Sequence, residues 1–531
     1  MQDLASILDK VMDDLFLPCS LRSDMAFRDV LSNPITFTAL AVILSLLLLV
    51  QVLIRKLKKK QRKKQYHPVG GTIFRLLLNF TRGHDYLADL AGKYRTYRLL
   101  NPLRNMIFTA DPSNVEYILK TNFENYGKGD YNHDKLRDLL GNGIFTVDGE
   151  KWSQQRKISS YGFSRKVLRD FSSVVFRNNA AKLANIVSEA AKSSQSMDIQ
   201  DLFMKSSLDS IFKILIGVEL DSLCGSYEEG IKFCNAFDDA NALSLWRYVD
   251  VLWKIKRFLN IGSEATLKKH IKVVDDFVYK QINSKLEQTH NLKDDFSKKK
   301  EDILSRFMQV NQADPTYLRD VVLNFVIAGR DTTSATLSWF IYMLCKNPAV
   351  QEKVAKEVRE VTEGKQTKNF ADFATSVDEE ALEKMNYLHA TITETLRLYP
   401  AVPVDAKTCF ADDIMPDGFS VSRGDMVAYI PYGMGRMKFI WGDDAEEYKP
   451  ERWLNEDGVF RQQSPFKFTA FQAGPRICLG KEFAYMQMKI FSAVLLDYFI
   501  FKLRDENKPV NCRTTFNLRI DGGLHVYALD R

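Results

Sequence analysis

Residues 471–480 read FQAGPRICLG, and this is the most specific motif in the chain. Its cysteine, Cys478, has Gly474 and Arg476 before it and Gly480 after it. Glycine allows a backbone to adopt positive φ and to approach a flat cofactor closely, and an arginine can pair with an anionic group of that cofactor. The stretch therefore predicts a thiol that a tight loop holds against a flat cofactor.

The residues that follow predict a helix that begins just after this loop. Apolar side chains recur there at helical spacing, at Phe483, Ala484, Met486, Met488 and Ile490. Backbone N–H groups at the start of a helix stabilise a thiolate. The alternative is a structural cysteine buried in a glycine-rich turn.

The composition excludes several other classes of protein. The chain has 531 residues, of which 45 % are hydrophobic and 27 % charged, as in a globular protein with a sizeable core. Its net charge of +7 arises largely from residues 55–64, which carry eight basic side chains and no acidic one. The main body is nearly neutral, which disfavours nucleic-acid binding. The seven cysteines are scattered without CxxC pairs, so neither a disulfide framework nor a zinc ribbon is expected.

The N-terminal region predicts a membrane anchor. Residues 35–54 contain no charge and are long enough to span the roughly 30 Å core of a bilayer. The basic residues that follow place the C-terminal side in the cytosol. We therefore predict a lumenal segment over 1–34, a transmembrane helix over 35–54, a basic linker and hinge over 55–71, and a catalytic domain over 72–531.

A second motif lies inside the apolar stretch 321–344, where residues 328–333 read AGRDTT. A glycine followed by Asp-Thr-Thr is unfavourable in the middle of a helix. The Thr332 hydroxyl can bond to the carbonyl of Ala328, four residues earlier, and distort the helix. We predict a polar notch suited to oxygen and a proton-delivering water. The alternative is a core helix that merely contains small polar residues.

Two further pairs lie at helical spacing. Glu394 and Arg397 are three residues apart on a helix with apolar neighbours, so we expect a buried ion pair with Arg452 as a further partner. Trp152 and Arg156 are four residues apart, so their N–H groups can point together at a carboxylate.

Periodicity predicts a mainly α fold with small β-sheets. Long helical patterns occur near 175–195, 264–287, 318–345 and 379–398. Short β-like runs occur near 94–110, 419–430 and 514–529. The charged stretch 288–302 reads as a solvated loop.

In order and spacing these motifs resemble the cytochrome P-450 family over about residues 65–531. The resemblance implies the P-450 fold and a haem b with the Cys478 thiolate as the axial iron ligand. The other residues that it places at the cofactor are Trp152, Arg156 and Arg476 as propionate partners, with Phe471, Gly474 and Gly480 in the cysteine loop. It assigns Glu394, Arg397 and Arg452 to a structural network, and it makes Asp331 and Thr332 the catalytic acid–alcohol pair that relays protons to oxygen.

The resemblance also implies an O2- and NADPH-dependent monooxygenase of the endoplasmic reticulum. Because the chain lacks a GxGxxG fingerprint, electrons would come from NADPH–cytochrome P-450 reductase. The amino-acid sequences of the motifs look most like those of the plant branch that ω-hydroxylates long-chain fatty acids. Some animal relatives carry a glutamate in place of Ala328 and link it to haem, so an extractable haem is expected here. Family position suggests pocket residues at 324–329, 400–404 and 520–524.

Other functions stay open at this point. The substrate could be another lipophile, such as a steroid or terpenoid, or the enzyme could be an isomerase or dehydratase that uses no external oxygen. A non-enzymatic haem sensor or carrier is the remaining alternative. Thr332 counts against the isomerase or dehydratase, and the Asp331–Thr332 pair counts against the sensor or carrier, because none of these functions needs proton delivery to oxygen.

The predicted anchor can be tested by truncation. A chain that begins at Gln65 lacks the uncharged segment, so it should leave the integral membrane fraction, with the full-length chain as the control. Alkaline carbonate extraction of membranes measures this. Resistance to extraction that matches the full-length chain would show that 35–54 is not the sole anchor.

Overall fold

A computed structural model describes residues 64–101, 104–224, 228–291, 303–310, 314–363, 369–508 and 510–531. The described chain is mainly helical with small sheets, which confirms the predicted fold class. The predicted lumenal segment, anchor and most of the basic linker lie outside the described residues. Among the helices that are described, none is long and apolar enough to cross a membrane.

Helices form most of the described chain and are numbered here in chain order. The first ten are α1 Ile73–Leu78, α2 Gly83–Tyr94, α3 Pro112–Glu116, α4 Gly129–Leu140, α5 Gly149–Tyr161, α6 Arg165–Val167, α7 Ser173–Lys192, α8 Ile199–Leu215, α9 Glu228–Trp246 and α10 Trp253–Leu259. The remaining helices are α11 Gly262–Asn291, α12 Ile303–Val310, α13 Pro315–Val326, α14 Thr332–Lys346, α15 Pro348–Val361, α16 Phe370–Ser376, α17 Glu379–Lys384, α18 Asn386–Leu398, α19 Pro431–Met434, α20 Lys438–Trp441 and α21 Lys481–Tyr498.

The strands are short and form small sheets at the edges of the helical body. They are β1 Val69–Thr72, β2 Thr96–Leu100, β3 Asn105–Thr109, β4 Tyr126–Gly127, β5 Met197–Asp198, β6 Asp405–Cys409, β7 Asp413–Ile414, β8 Ser420–Val421, β9 Met426–Tyr429, β10 Phe499–Leu503, β11 Cys512–Thr514, β12 Leu518–Ile520 and β13 His525–Asp530. The largest sheet has the order β1-β2-β3-β9-β6-β4, and a second has the order β10-β13-β5. The pairs β11-β12 and β7-β8 form two further sheets.

Strand β1 begins inside the segment that the sequence predicts to be a linker. Val69 and Thr72 pair in parallel with Arg98 and Leu100 of β2, and the Ser420 N–H donates to the Gln65 carbonyl. Backbone groups in a folded protein are satisfied by pairing with a neighbour. Because residues from Gln65 to Thr72 already make such bonds to other elements, part of the predicted linker belongs to the folded body.

The predicted helix at 318–345 is present but interrupted. Helix α13 ends at Val326, a π-helical turn spans Ile327–Asp331, and α14 continues from Thr332. Helix α8 packs against both this turn and α14. A π turn inserts an extra residue into the helical ladder and often marks a functional site.

The stretch at 379–398 divides into α17 and α18, because Met385 takes a non-helical conformation with φ −75° and ψ 73°. Helix α18 carries the Glu394–Arg397 pair, and both side chains have 0 % exposure. The Arg397 Nε lies 2.7 Å from Glu394 Oε2, and its Nη2 lies 2.8 Å from Oε1. The structure confirms that this pair is buried.

Further hydrogen bonds satisfy both charges. The guanidinium donates to backbone carbonyls of the segment that leads to the cysteine loop, those of Gly435, Ala445 and Glu447. The Trp453 indole N–H donates to the carboxylate of Glu394 over 2.9 Å. Arg452 lies 3.5 Å from Glu394, as predicted, but its shorter contact, 2.9 Å, is with Asp444.

Removing one partner of this pair should be severe. Arg397→Leu leaves Glu394 charged and buried without its main partner, which typically costs about 3–5 kcal/mol. We expect loss of soluble folded protein or a large fall in the midpoint of thermal unfolding. Lys384→Ala, which removes an exposed pair with Glu380, is the matched control and should leave the midpoint unchanged. Equal midpoints for the two variants would contradict a structural role for the buried pair.

Candidate active site

Residues from distant parts of the chain line one cavity of about 240 Å³. Helix α13, the π turn and α14 contribute Phe325, Ala328 and Thr332 to the lining, and the cysteine loop contributes Phe471 and Cys478. Most of the other lining side chains are apolar. The Cys478 loop and the Thr332 notch, which the sequence predicts separately, therefore line the same cavity.

The cysteine loop is held by backbone contacts. The Cys478 N–H donates to the Phe471 carbonyl over 2.8 Å, and Gly474 has φ +65°. A Cβ at Gly474 would collide with the carbonyl of Leu119, so only glycine fits there. Gly480 has φ −88°, so the expectation of a positive φ holds for Gly474 and not for Gly480. A Cβ at Gly480 would lie 3.9 Å from the Cys478 sulfur, which is an ordinary van der Waals contact, so the space beside the thiol does not by itself require glycine there.

The thiol of Cys478 faces the cavity from just before helix α21. Its side chain is exposed, and because the residue lines the cavity, that free surface opens into the cavity. Surrounding protein raises the pKa of the Cys478 thiol, while the Gly480 N–H, Arg156 and Lys481 partly offset this increase. The predicted position at a helix start is confirmed.

An aromatic ring and two guanidinium groups form one edge of the cavity. Arg476 lies 4.5 Å from the centroid of the Trp152 ring, and Arg156 lies 5.8 Å from it. Arg476 forms a 2.6 Å ion pair with Asp148, and Arg156 donates to the Ile477 carbonyl over 2.7 Å. The three predicted propionate partners therefore do cluster, although their role at a cofactor stays a prediction.

The sequence reasoning missed a second charged group at the cavity. Lys128 and Asp405 both line it, and their side chains lie 3.0 Å apart. Lys407 and the Tyr429 hydroxyl contact the other oxygen of Asp405 at 2.8 and 2.9 Å. Burial lowers the pKa of Lys407 to about 7 even beside this carboxylate. Only the charged residues alternating along β6 hinted at this group.

The predicted distortion at Thr332 is present. The Thr332 hydroxyl donates to the Ala328 carbonyl over 2.5 Å, at the π turn. Gly329 packs against helix α8, where a Cβ would approach the Ile211 side chain to 2.8 Å. Thr332, Thr333 and Ala328 all line the cavity, so the notch opens into it.

Asp331 is not among the residues that line this cavity. It has 0 % exposure and accepts from Arg519 at 2.9 Å and from Arg330 at 3.1 Å. Both arginines also pair with Asp238, at 3.0 and 2.7 Å. The Asn517 amide adds a contact of 3.3 Å. The structure thus separates the predicted pair, with Thr332 facing the cavity and Asp331 within a buried charge cluster, because adjacent helical residues point about 100° apart.

Two of the three predicted pocket segments do line the cavity. Segment 324–329 contributes Asn324 and Phe325 besides the π turn, and segment 400–404 contributes Ala401 and Val402. None of residues 520–524 appears in this lining. Their backbone is used elsewhere, since Gln200 bonds to Ile520 and the Leu524 carbonyl accepts from Ile199.

Comparison with known proteins identifies the class to which this fold and site belong. The family model described as Cytochrome P450 matches residues 63–524. Cytochrome P450 704C1 of Pinus taeda is 51 % identical over 487 residues, which cover 88 % of this chain and 92 % of the relative. Cytochrome P450 704B1 of Arabidopsis thaliana is 47 % identical, covering 86 % and 93 %, and Cytochrome P450 94A1 of Vicia sativa is 37 % identical, covering 82 % and 84 %. The chain belongs to the cytochrome P450 family, and these relatives are plant proteins, as predicted.

Membership of this family implies a haem, and the residues present fit one. The Cys478 thiol and the Thr332 notch line the same cavity. The Nε of Arg476 is buried beside that cavity without a hydrogen-bond partner, so it is available to an anionic group. Cys478 would ligate the iron, and Trp152, Arg156 and Arg476 would hold the propionates.

When bound, a haem with a thiolate ligand supplies the activation of dioxygen. The protein's own contribution is to hold the thiol, to exclude water with an apolar lining, and to place the Thr332 hydroxyl where it can hold a proton.

The ligand assignment can be tested by Cys478→Ala. Removal of the thiol should abolish the red-shifted Soret band of the reduced, carbonylated haem, because that band requires thiolate ligation. Cys409→Ala is the matched control, since this buried thiol bonds to the Ala411 carbonyl and does not line the cavity. Persistence of the band in Cys478→Ala would rule out Cys478 as the ligand.

Proposed function

We propose that the protein is a monooxygenase that hydroxylates the terminal methyl group of long-chain fatty acids. Electrons would come from NADPH through a cytochrome P450 reductase, with the catalytic domain on the cytosolic face of the endoplasmic reticulum. The predicted N-terminal anchor and the resemblance of the motifs to the plant fatty-acid branch support this proposal.

The observation that carries the proposal is the state of the charged side chains in the cavity lining. These are Lys128, Arg156, Asp405 and Arg476. Lys128 is paired with Asp405, Arg156 with the Ile477 carbonyl and Arg476 with Asp148. Among the described residues of this lining, no cation is left over for a substrate carboxylate once the cofactor's propionates are held.

The rest of the lining is suited to hydrocarbon. It includes the apolar side chains of Ile144, Phe145, Ile211, Phe325, Ala401 and Val402, together with uncharged polar groups such as those of Thr333, Thr336 and Asn324. Burying a carboxylate there without a partner would be costly, whereas each buried CH₂ contributes about 0.8 kcal/mol. A fatty acid would therefore enter with its methyl end first, which presents the terminal carbon to Thr332.

Turnover of lauric and oleic acids tests the proposal. The full-length chain with a NADPH-dependent reductase should give mainly the terminal hydroxy acid, identified by mass spectrometry. Cys478→Ala is the inactive control. Oxidation of steroids or terpenoids without any fatty-acid oxidation would overturn the substrate assignment and leave the monooxygenase class intact.

The same assay tests Thr332. Thr332→Ala should still bind haem and substrate and still consume NADPH, but more of the oxygen should leave as peroxide. Loss of a positioned proton donor typically lowers the coupled rate by about 10²–10⁴-fold. The measurement is product and peroxide formed per NADPH oxidised. Thr336→Ala, which removes a neighbouring lining hydroxyl, is the control, and equal coupling in all three proteins would contradict the proton role.

A further inference from the structure

Helix α4 ends against helix α13 in a way that uses side chains in place of the usual helical partners. The last carbonyls of a helix have no partner within it and must be satisfied from outside. Arg319 donates to the carbonyls of Asp138 and Leu139 over 2.8 and 3.0 Å. Asn324 donates to the Leu140 carbonyl over 2.8 Å. Two side chains of α13 thus bind three consecutive carbonyls at the end of α4.

The loop that follows α4 is held by the same helix. The Asn142 N–H donates to Asp320 Oδ2 over 2.8 Å. The Phe145 N–H donates to Asn324 Oδ1 over 3.2 Å. Asn324 therefore binds both ends of the loop 141–145, with its amide nitrogen at Leu140 and its oxygen at Phe145.

The fit between the loop and these two side chains is tight. A Cβ at Gly141 would collide with the Asp320 carboxylate, and one at Gly143 would collide with the Asn324 amide. Gly141 also has φ +55°, whereas Gly143 is not among the residues with positive φ. Gly143 is therefore glycine because of the Asn324 contact rather than because of its own backbone conformation.

The charge of Asp320 is compensated in place. Asp320 is buried and lies 3.0 Å from Arg319, which lies 2.7 Å from Asp275 on helix α11. Hydrogen bonds to charged groups are stronger than those between neutral groups, and they hold geometry better when buried. The backbone of the loop is thus bonded to side chains of helix α13.

The loop matters because of what its other side contacts. Ile144 and Phe145 line the cavity, and so does Asn324 itself. Helix α13 leads directly into the π turn that carries the Thr332 notch. One helix therefore sets both the reactive position and the apolar wall formed by Ile144 and Phe145.

We propose that Asp320 and Asn324 are positioning residues that determine which carbon of the substrate lies beside Thr332, by fixing the loop 141–145. If the wall formed by Ile144 and Phe145 moved by part of the length of a C–C bond, the hydrocarbon chain of the substrate would enter the cavity to a different depth. The identity of the products rests on the proposed function, whereas the restraint on the loop does not.

Amide hydrogen exchange tests the restraint directly in the haem-loaded, full-length protein. Asn324→Ala removes both bonds, so the Phe145 and Gly143 amides should exchange about tenfold faster, the effect of roughly 1.4 kcal/mol. Thr316→Ala, at an exposed position early in the same helix, is the matched control. Unchanged exchange in Asn324→Ala with an intact carbonylated Soret band would overturn the proposal.

Product distribution tests the consequence. With lauric acid, Asn324→Ala should raise the ratio of in-chain to terminal hydroxylation by about threefold or more while the Soret band is retained. A threefold change corresponds to a difference of about 0.65 kcal/mol between the two barriers. A merely structural role would lower total activity without moving this ratio. An unchanged ratio would therefore count against positioning.

Gly143→Ala provides a steric complement. Alone, its Cβ meets Asn324 and should displace the loop and change the product ratio. In the Asn324→Ala background the Cβ enters vacated space, so the second substitution should add little, and the two effects should be strongly non-additive. Additive effects would show that the two residues do not act through one contact.

Two safeguards separate the possible failures. If Asn324→Ala does not fold, Asn324→Asp keeps the acceptor for the Phe145 N–H and loses the donor to the Leu140 carbonyl. Faster exchange is then required of the Gly143 amide and not of the Phe145 amide. If the wild type oxidises no fatty acid, the proposed function fails while the exchange and double-variant measurements still decide the restraint.

Discussion

The buried pair of Glu394 and Arg397 is the interaction on which the rest of the molecule depends. Both charges are fully enclosed, so each is tolerated only because every remaining donor and acceptor finds a partner. The guanidinium does this by bonding to carbonyls of the segment that runs from Gly435 to Glu447. That segment has little regular structure of its own, and it leads to the cysteine loop. The ion pair therefore stabilises the irregular segment that precedes the cysteine loop.

A second constraint is the interruption of the helix between α13 and α14. A continuous helix would direct all its backbone groups inward and give the cavity a uniform apolar wall. At the π turn the Thr332 hydroxyl bonds to the Ala328 carbonyl, and both residues line the cavity. The part of the helix before the turn bonds through Asn324 to the loop that carries Ile144 and Phe145. The Thr332 hydroxyl and this loop are thus held by one continuous run of helix.

The distribution of charge explains how a polar reaction site can coexist with an apolar lining. Among the charged side chains of the described lining, Lys128 pairs with Asp405 and Arg476 pairs with Asp148. Arg156 instead donates to the Ile477 carbonyl. The acidic residue of the notch, Asp331, lies behind the wall in a cluster with Arg519 and Arg330. Because paired charges are neutral as a group, the cavity can exclude water and still keep polar atoms close to the reacting region.

Contacts between residues only a few positions apart could be predicted from the amino-acid sequence alone. The helix that starts after Cys478, the Thr332–Ala328 bond and the Glu394–Arg397 contact all follow from spacings of three to five residues, which helical geometry converts into proximity. The mainly helical class was predictable for the same reason. The membrane anchor is also a local pattern, but it lies outside the described residues and stays a prediction.

Contacts between segments that are far apart in the chain became visible only in the folded structure. Asp148 meets Arg476 across 328 residues, and Asn324 meets Leu140 across 184, and no local pattern encodes such distances. The surroundings of Asp331 likewise depend on partners on other elements, Arg519 and Asn517. Long-range partners are chosen by how the whole core packs, because a buried charge must find whichever opposite charge the fold brings within reach.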